Sequence, residues 1–191
     1  LDGAVAMAEM AHAAEVENLD YVLARALHDR GRSEDDARID ALLRTAFDER
    51  GHIWSGGLLA ERMAARGEPA HRVAWYTGPL VLELRERAAQ GDIDAGRRLI
   101  DLFERGLAAP NWRERFELRR TMAEAGDPSS MVHVARALVD RDETAEAASW
   151  YVRAAATDHA WSAGEAGRAV LRGDVTLAAD ARETVLARAL E

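Results

Sequence analysis

The chain repeats itself at intervals of about 34 residues, and this repetition constrains its fold more than any other feature. Helix-ending segments close near residues 17, 51, 91, 126 and 158, and the chain stops at 191. The intervals are therefore about 34, 40, 35, 32 and 33 residues. A period in the range of roughly 20–50 residues indicates small structural units that bury a shared core by stacking.

A second series of helix-like segments lies between these endings, one in each unit. Each has apolar residues spaced as on one face of a helix and ends near Arg-Gly or Arg-Asp, where glycine accepts the left-handed conformation that closes a helix. Gly126, Asp127 and Pro128 supply a helix stop, an N-cap and a first helical residue in succession. The segments are "YVLARALHDRG" (21–31), "GLLAERMAARG" (57–67), "GRRLIDLFERG" (96–106), "VHVARALVDRD" (132–142) and "GEAGRAVLRG" (164–173).

These two series predict an all-α fold, because no segment shows the apolar–polar alternation of a strand. We predict a right-handed α-α superhelix, a solenoid of about five helical hairpins. "TGPL" at 77–80 is expected to break a second helix. We expect a single domain over 1–191, with an orphan second helix at 3–17 that marks the chain as a piece of a longer protein, and repeats at approximately 18–51, 52–91, 92–126, 127–158 and 159–191.

One segment, "AASWYVRAAATD" at 147–158, resembles a known family. It is similar to the second helix of the SEL-like repeat family within the tetratricopeptide-type arrays: Trp-Tyr, a basic residue, paired Ala and a helix end. The small-residue helix that follows and ends in "LRGD" (171–174) fits the same family. The resemblance implies that Trp150 and Tyr151 are core residues, and that Ala154 and Ala155 allow neighbouring helices to approach closely.

Composition excludes several classes of function. The chain lacks Cys and Lys, so all 25 basic residues are Arg, which rules out thiolate sites, a complete Walker A loop and a Lys Schiff base within it. A formal net charge of −9 argues against duplex nucleic acid as a partner. There is no apolar run long enough to span a membrane. Residues 1–14 lack the basic start of a signal peptide, so we expect a cytoplasmic protein.

The motifs that suggest chemistry have simpler explanations. Glu9 with His12 and Glu49 with His52 share the Glu-x-x-His spacing of di-iron bundles, but Gly51 places His52 in a loop, so no metal is expected. His133 and His159 have no catalytic partner at a recognisable spacing and favour surface or capping roles. The basic run "RERFELRR" (113–120) is interleaved with Glu114 and Glu117, which favours ion pairs along a solvated helix.

The remaining candidate site is the groove that first helices line in stacked hairpins. Polar and aromatic residues of those helices are the predicted partner-binding residues, and arginines among them suit carboxylates through the bidentate geometry of the guanidinium. The predicted residues are Trp54, Glu61, Arg97, Asp101, His133, Arg136, Asp140 and Trp161.

The sequence therefore predicts a non-enzymatic module that binds a protein or peptide and acts as scaffold, adaptor or regulatory domain. No cofactor, nucleic acid or membrane is expected as a partner, and an N-terminal helix without its own first helix suggests self-association. The alternative is a ligand-sensing regulatory domain, whose pocket would take a small molecule or a signalling peptide.

Overall fold

Helices make up most of the chain in the computed structural model, which describes residues 2–13 and 19–190, without the side chains of residues 11–13. These residues contain no strand, and the predicted all-α helical-repeat class is confirmed. The α-helices are α1 (Asp2–Ala13), α2 (Leu19–Arg30), α3 (Asp36–Arg44), α4 (Ile53–Ala65), α5 (Ala70–Ala89), α6 (Ile93–Glu104), α7 (Trp112–Glu124), α8 (Pro128–Val139), α9 (Thr144–Ala155), α10 (Ala160–Arg172) and α11 (Ala179–Arg188). A 3-10 turn (Ser33–Asp35) precedes α3, and a π-helical turn (Thr45–Glu49) follows it.

Helices α2, α4, α6, α8 and α10 each end within three residues of a left-handed backbone position. Such a residue reverses the chain after the last turn and favours glycine, which has no Cβ to clash with the backbone. The Arg-Gly and Arg-Asp endings of the sequence supply these positions. They are Gly31, Gly67, Gly106, Asp142 and Gly173, with φ of 74°, 74°, 71°, 61° and 80°.

The helix start predicted at Gly126–Pro128 is confirmed. Gly126 has a φ of 104°, and Pro128 is the first residue of α8. Asp127 is the N-cap, and its Oδ2 accepts a hydrogen bond of 2.8 Å from the backbone N–H of Ser130. This bond satisfies one of the amide groups that a helix leaves without an internal partner at its N-terminus.

The chain groups into two compact units, and the division falls within helices α5 and α6. Unit 1 comprises Leu1–Glu83 and Leu102–Ala109, and unit 2 comprises Leu84–Asp101 and Pro110–Glu191. The single domain, its repeat boundaries and the handedness of a superhelix stay predictions.

Unit 1 has its core between α2, α3, α4 and the first part of α5. Fully buried aliphatic side chains from each of these helices meet there, and Phe47 of the π-helical turn packs edge-on against Tyr76, with ring centroids 5.2 Å apart. The core residues include Leu23, Leu27, Ile39, Leu43, Leu59, Met63 and Leu80.

Helix α5 corrects the expected break at 77–80, because it runs without interruption from Ala70 to Ala89 with Pro79 inside it. Pro79 lacks the N–H that would bond to the carbonyl of Trp75 one turn earlier. Both residues are exposed to solvent. Gly78, which precedes the proline, has no Cβ to clash with the proline ring. Solvent exposure and this glycine together explain why the helix continues.

Gly56 in α4 allows its helix to approach the π-helical turn and α5 closely. A Cβ at this position would lie less than 3 Å from the Phe47 ring and 2.6 Å from the backbone carbonyl oxygen of Tyr76. We expect Gly56→Ala to lower the free energy of unfolding by about 1–3 kcal/mol, because the α5 backbone must move to admit the methyl group. The midpoint of a urea denaturation curve measures the change.

Gly164→Ala is the matched control, since Gly164 also lies within a helix. Its added Cβ would meet only the guanidinium end of Arg168, at 3.7 Å, an ordinary van der Waals distance. We expect this variant to gain about 0.5–1 kcal/mol from helix propensity. Equal effects of the two substitutions would show that close packing at Gly56 does not limit stability.

Unit 2 has its core around α8, α9 and α10. Trp150 and Tyr151 are buried there, with Val134 and Leu138 of α8 and Val170 of α10 in the same cluster. Ala154 and Ala155 are buried beside them. The structural role that the sequence assigned to this segment is confirmed.

Candidate functional site

Two of the histidines stand at helix N-cap positions, and the Nδ1 of one of them, His159, accepts a capping hydrogen bond of 3.3 Å from the backbone N–H of Ser162. His52 precedes α4 and His159 precedes α10, and in both places the ring Nδ1 lies 2.8 Å from the hydroxyl of the serine three residues later, Ser55 or Ser162. The predicted capping role of His159 is therefore confirmed. Glu9 forms an ion pair of 2.8 Å with Arg38, and the side chain of His12 lies outside the described residues. The described residues hold no cluster of His, Asp and Glu suited to a metal ion.

The eight predicted partner-binding residues lie on four helices, with Asp140 one residue beyond the end of its helix. Six of them form polar or aromatic contacts within their own unit. Trp54 and Glu61 lie on α4, Arg97 and Asp101 on α6, His133 and Arg136 on α8, Asp140 at the C-cap of α8, and Trp161 on α10.

Arg97 and Arg136 each link two helices through an ion pair. Arg97 links α6 to the start of α8, and Arg136 links α8 to α10. The Nε of Arg97 donates a hydrogen bond of 3.2 Å to Oδ1 of Asp127, the buried N-cap of α8. Arg136 pairs with Glu165 of α10, which is also buried and pairs with Arg168. These two arginines therefore neutralise buried carboxylates between neighbouring helices.

Burial acts to raise the pKa of the Asp127 carboxyl, because a charge is costly in a poorly solvated site. Hydrogen bonds from Ser130 and Arg97 outweigh that effect and hold the pKa below its ordinary value. Asp127 is therefore ionised at neutral pH.

Three of the predicted residues, Trp161, His133 and Arg136, lie together. The ring of Trp161 lies 6.0 Å from the ring of His133, and the guanidinium carbon of Arg136 is 5.9 Å from the Trp161 ring centroid. Asp101 is paired on its own helix with Arg98, at 3.3 Å. The three residues at Trp161 thus lie together at the neighbouring surfaces of α8 and α10.

In unit 1, Glu61 borders a cavity of about 310 Å³ whose charges are matched. Glu61 pairs with Arg105 at 2.9 Å. Arg62 pairs with Asp36 and Asp40, each at 2.8 Å. Because acidic and basic groups already satisfy each other here, this cavity has no charge for a ligand to neutralise.

Unit 2 contains a larger cavity, of about 510 Å³, between α7, α8 and the loop before α7. We call it the cationic cavity. Trp112, Arg115, Phe116 and Arg119 follow one another at the spacing of a single helix face on α7. The full lining is Pro110, Asn111, Trp112, Arg115, Phe116, Arg119, His133, Ala137 and Arg141.

Asn111 fixes the start of that helix face. It is the N-cap of α7, and its side-chain oxygen accepts a hydrogen bond of 2.8 Å from the backbone N–H of Glu114. The cap sets the rotation of the first turn, which carries Trp112 and Arg115.

The charge of the cationic cavity is not balanced by its lining, which includes three arginines and no carboxylate. Arg141 lies over two rings, with its guanidinium carbon 4.2 Å from the centroid of Phe116 and 5.2 Å from that of Trp112. In the described part of the chain, neither Arg115 nor Arg141 forms an ion pair. The arrangement combines an apolar surface with two cations, Arg115 and Arg141, that form no ion pair within the described residues.

His133 lines both the cationic cavity and the cluster at Trp161. Burial lowers its pKa, and the positive charges of Arg119 and Arg136 lower it further, to about 4. The imidazole is therefore neutral at pH 7 and adds a polar but uncharged wall.

Sequence analysis missed this cavity, although part of its signal was present. Arg115 and Arg119 belong to the basic run at 113–120, whose glutamates were expected to pair along the helix. Arg120 does pair with Glu124, at 3.3 Å, but Glu114 pairs with Arg85, at 2.6 Å and 29 positions earlier. The helix-face spacing that starts at Trp112 was the available clue.

No protein-family model matches the sequence, and no curated protein matches it. Among solved structures, the chain is similar to a protective antigen present in uropathogenic Escherichia coli strains, which displays an SLR (SEL-like repeat) fold. The identity is 18% and the TM-score 0.57, over 97% of this chain and 40% of the antigen. The chain therefore has the SEL-like repeat fold that the sequence resemblance implied, and it spans less than half of the antigen's length.

Proposed function

We propose that this chain is a non-enzymatic module that binds a segment of a partner protein, and that the segment docks in the cationic cavity. The observation that carries the proposal is the exposed aromatic and cationic surface of α7. Trp112 leaves 69% of its surface in solvent, beside Phe116 and the stacked Arg141. Aromatic residues and arginine are enriched among the side chains that dominate binding energy at protein interfaces.

The first-helix groove is the other proposed binding surface, but its polar groups are less accessible to a partner. Arg97 and Arg136 are already paired with Asp127 and Glu165. A partner carboxylate would have to displace those buried acidic groups, which is costly because a buried charge is left without its partner. The cationic cavity imposes no such exchange on Arg115 or Arg141.

A small-molecule sensor is the second candidate, and the volume of the cationic cavity favours it. About 510 Å³ lies within the usual range for small-ligand sites, roughly 300–1,000 Å³. The exposure of Trp112 favours a protein segment instead, because small-ligand sites surround most of their ligand.

No described helix is both long enough and apolar enough to cross a bilayer.

We expect Trp112→Ala to weaken partner capture at least tenfold, because aromatic anchors of interfaces contribute about 2 kcal/mol or more. The measurement is quantitative capture of proteins from a lysate of the source organism, with the wild-type chain and the variant compared as bait. Trp75→Ala is the matched control, because Trp75 is equally exposed, at 70%, but belongs to unit 1.

A partner retained by Trp75→Ala and lost by Trp112→Ala supports docking in the cationic cavity. A partner retained by both variants would move the site elsewhere on the chain. If no protein is captured and a small anionic compound raises the Tm of the wild-type chain but not of Trp112→Ala, the sensor function replaces the binding module.

A further inference from the structure

We propose that the partner segment bound in the cationic cavity is acidic. Its carboxylates pair with Arg115 and Arg141, and an adjacent aromatic or large aliphatic side chain packs on Trp112 and Phe116. This inference rests on the function proposed above and adds the chemistry of the partner.

The first argument is the arrangement of like charges. Arg115 of α7 and Arg141 bring two guanidinium groups, neither of them in an ion pair within the described part of the chain, to the lining of one cavity. Two cations held close together repel each other. An anionic ligand relieves this repulsion, and the lining itself offers no carboxylate to do so.

The second argument is the orientation of Arg141. A guanidinium stacked on aromatic rings keeps its N–H groups free at the edge, where they bind a carboxylate through two parallel hydrogen bonds. Stacking on Phe116, at 4.2 Å, also restricts the side chain before the ligand arrives. Less conformational entropy is then lost on binding.

The third argument is the neighbouring histidine, which also lines the cavity and on which one cavity arginine, Arg119, acts electrostatically. The groups that act on His133 are Arg119 of α7, Arg136 of its own helix and Asp127 at the start of that helix, and their net effect, added to burial, keeps the imidazole neutral. Trp161 of α10 covers one side of the ring. A carboxylate bound in the cavity stabilises the protonated imidazole, so it raises the pKa of His133.

A short peptide fits these features better than a nucleic acid does. Single-stranded nucleic acid is bound along an extended positive groove, whereas the arginines here are confined to one cavity of an acidic chain. Charges beyond about 8 Å are largely screened at physiological salt. Carboxylates seated directly in the cavity are therefore attracted, whereas the phosphates of a long polyanion that lie outside it gain little from these arginines.

The test is fluorescence anisotropy with the full chain and a labelled probe peptide, in which glutamates flank one phenylalanine and the C-terminus is a free carboxylate. We expect Arg115→Glu to weaken binding about tenfold or more, because a charge-assisted hydrogen bond is replaced by repulsion. Arg113→Glu is the matched control: Arg113 is exposed on the same helix but does not line the cavity, and the change in net charge is identical. We expect Arg113→Glu to change the affinity by less than about twofold.

Variants of the probe identify the source of the carboxylates. Loss of binding on amidation of the C-terminus assigns the contact to a terminal carboxylate, and loss on replacement of the glutamates by glutamines assigns it to acidic side chains. Either result supports the proposal. Equal affinity for the probe with neither kind of carboxylate would overturn it, as would equal effects of Arg115→Glu and Arg113→Glu.

A second readout does not depend on the substitutions. The pKa of His133, followed by its ring proton resonances in NMR spectra, is expected to rise when the probe peptide is bound and to stay unchanged with the glutamine peptide. If a single-stranded oligonucleotide displaces the probe at equal concentration, the bound partner is a nucleic acid and the acidic-peptide proposal is wrong. If no peptide binds but Trp112→Ala still abolishes partner capture, the acidic chemistry is wrong and the proposed function stands.

Discussion

Tyr151→Ala is expected to lower the free energy of unfolding by about 3–5 kcal/mol, as other large-to-small substitutions of buried aromatic residues do. Tyr151 is 1% exposed in the core of unit 2, among residues from α8, α9 and α10. Removing the ring forfeits its burial and leaves a cavity that these helices cannot fill without moving. Urea denaturation followed by circular dichroism measures the loss.

Tyr151→Phe separates the contribution of the ring from that of the hydroxyl group. Burial raises the pKa of the hydroxyl, although the nearby Arg136 acts to lower it, so the hydroxyl stays protonated. We expect this variant to lose no more than about 0.5–1.5 kcal/mol, the net value of one hydrogen bond. If the two variants lose the same amount, the hydroxyl and not the packed ring stabilises this region.

Asp127→Ala is expected to lower the free energy of unfolding by roughly 2–4 kcal/mol, through two losses at one buried position. The N-cap bond to Ser130 disappears, which leaves a buried amide without a partner. Arg97 also loses the carboxylate that it pairs with. The same denaturation experiment measures the difference.

Asp127→Asn is the control that keeps the cap and removes the charge, because asparagine also caps helices well. The folded protein holds the pKa of Asp127 below its ordinary value of about 4. The extra stability from ionisation is therefore complete above about pH 4 and is lost as the pH falls through the lower, folded value. We expect wild type and Asp127→Asn to converge in stability as the pH falls from 5 to 2. A constant difference would show that the charge of Asp127 is not involved.

The helical units could be predicted from the sequence because their signals are local. A glycine or aspartate that ends a helix needs only its own backbone conformation, and the endings at Gly31, Gly67 and Asp142 are formed as expected. The core role of Trp150 and Tyr151 followed from a resemblance that rests on one segment. Pro79 was misjudged because its tolerance depends on solvent exposure, which a local rule for proline does not include.

The cationic cavity could not be predicted in the same way, since its charge depends on contacts between distant residues. The spacing of Glu114 and its neighbouring arginines suggested pairing along α7, but Arg85 takes that glutamate. Arg141 reaches the cavity from beyond the end of α8. Which arginines keep an acidic partner is decided only when helices that are distant in sequence pack together within a unit.

The ion pairs between helices also influence how this chain folds. Arg97 and Asp127 are 30 positions apart, Arg85 and Glu114 are 29 apart, and Arg62 and Asp36 are 26 apart. Each of these links closes a loop of about one repeat, and short loops lose little chain entropy on closure. Proteins dominated by contacts between residues that are near in sequence fold rapidly. A repeat array can begin to fold at any repeat that is stable enough. Folding can therefore start at a single hairpin and spread to its neighbours.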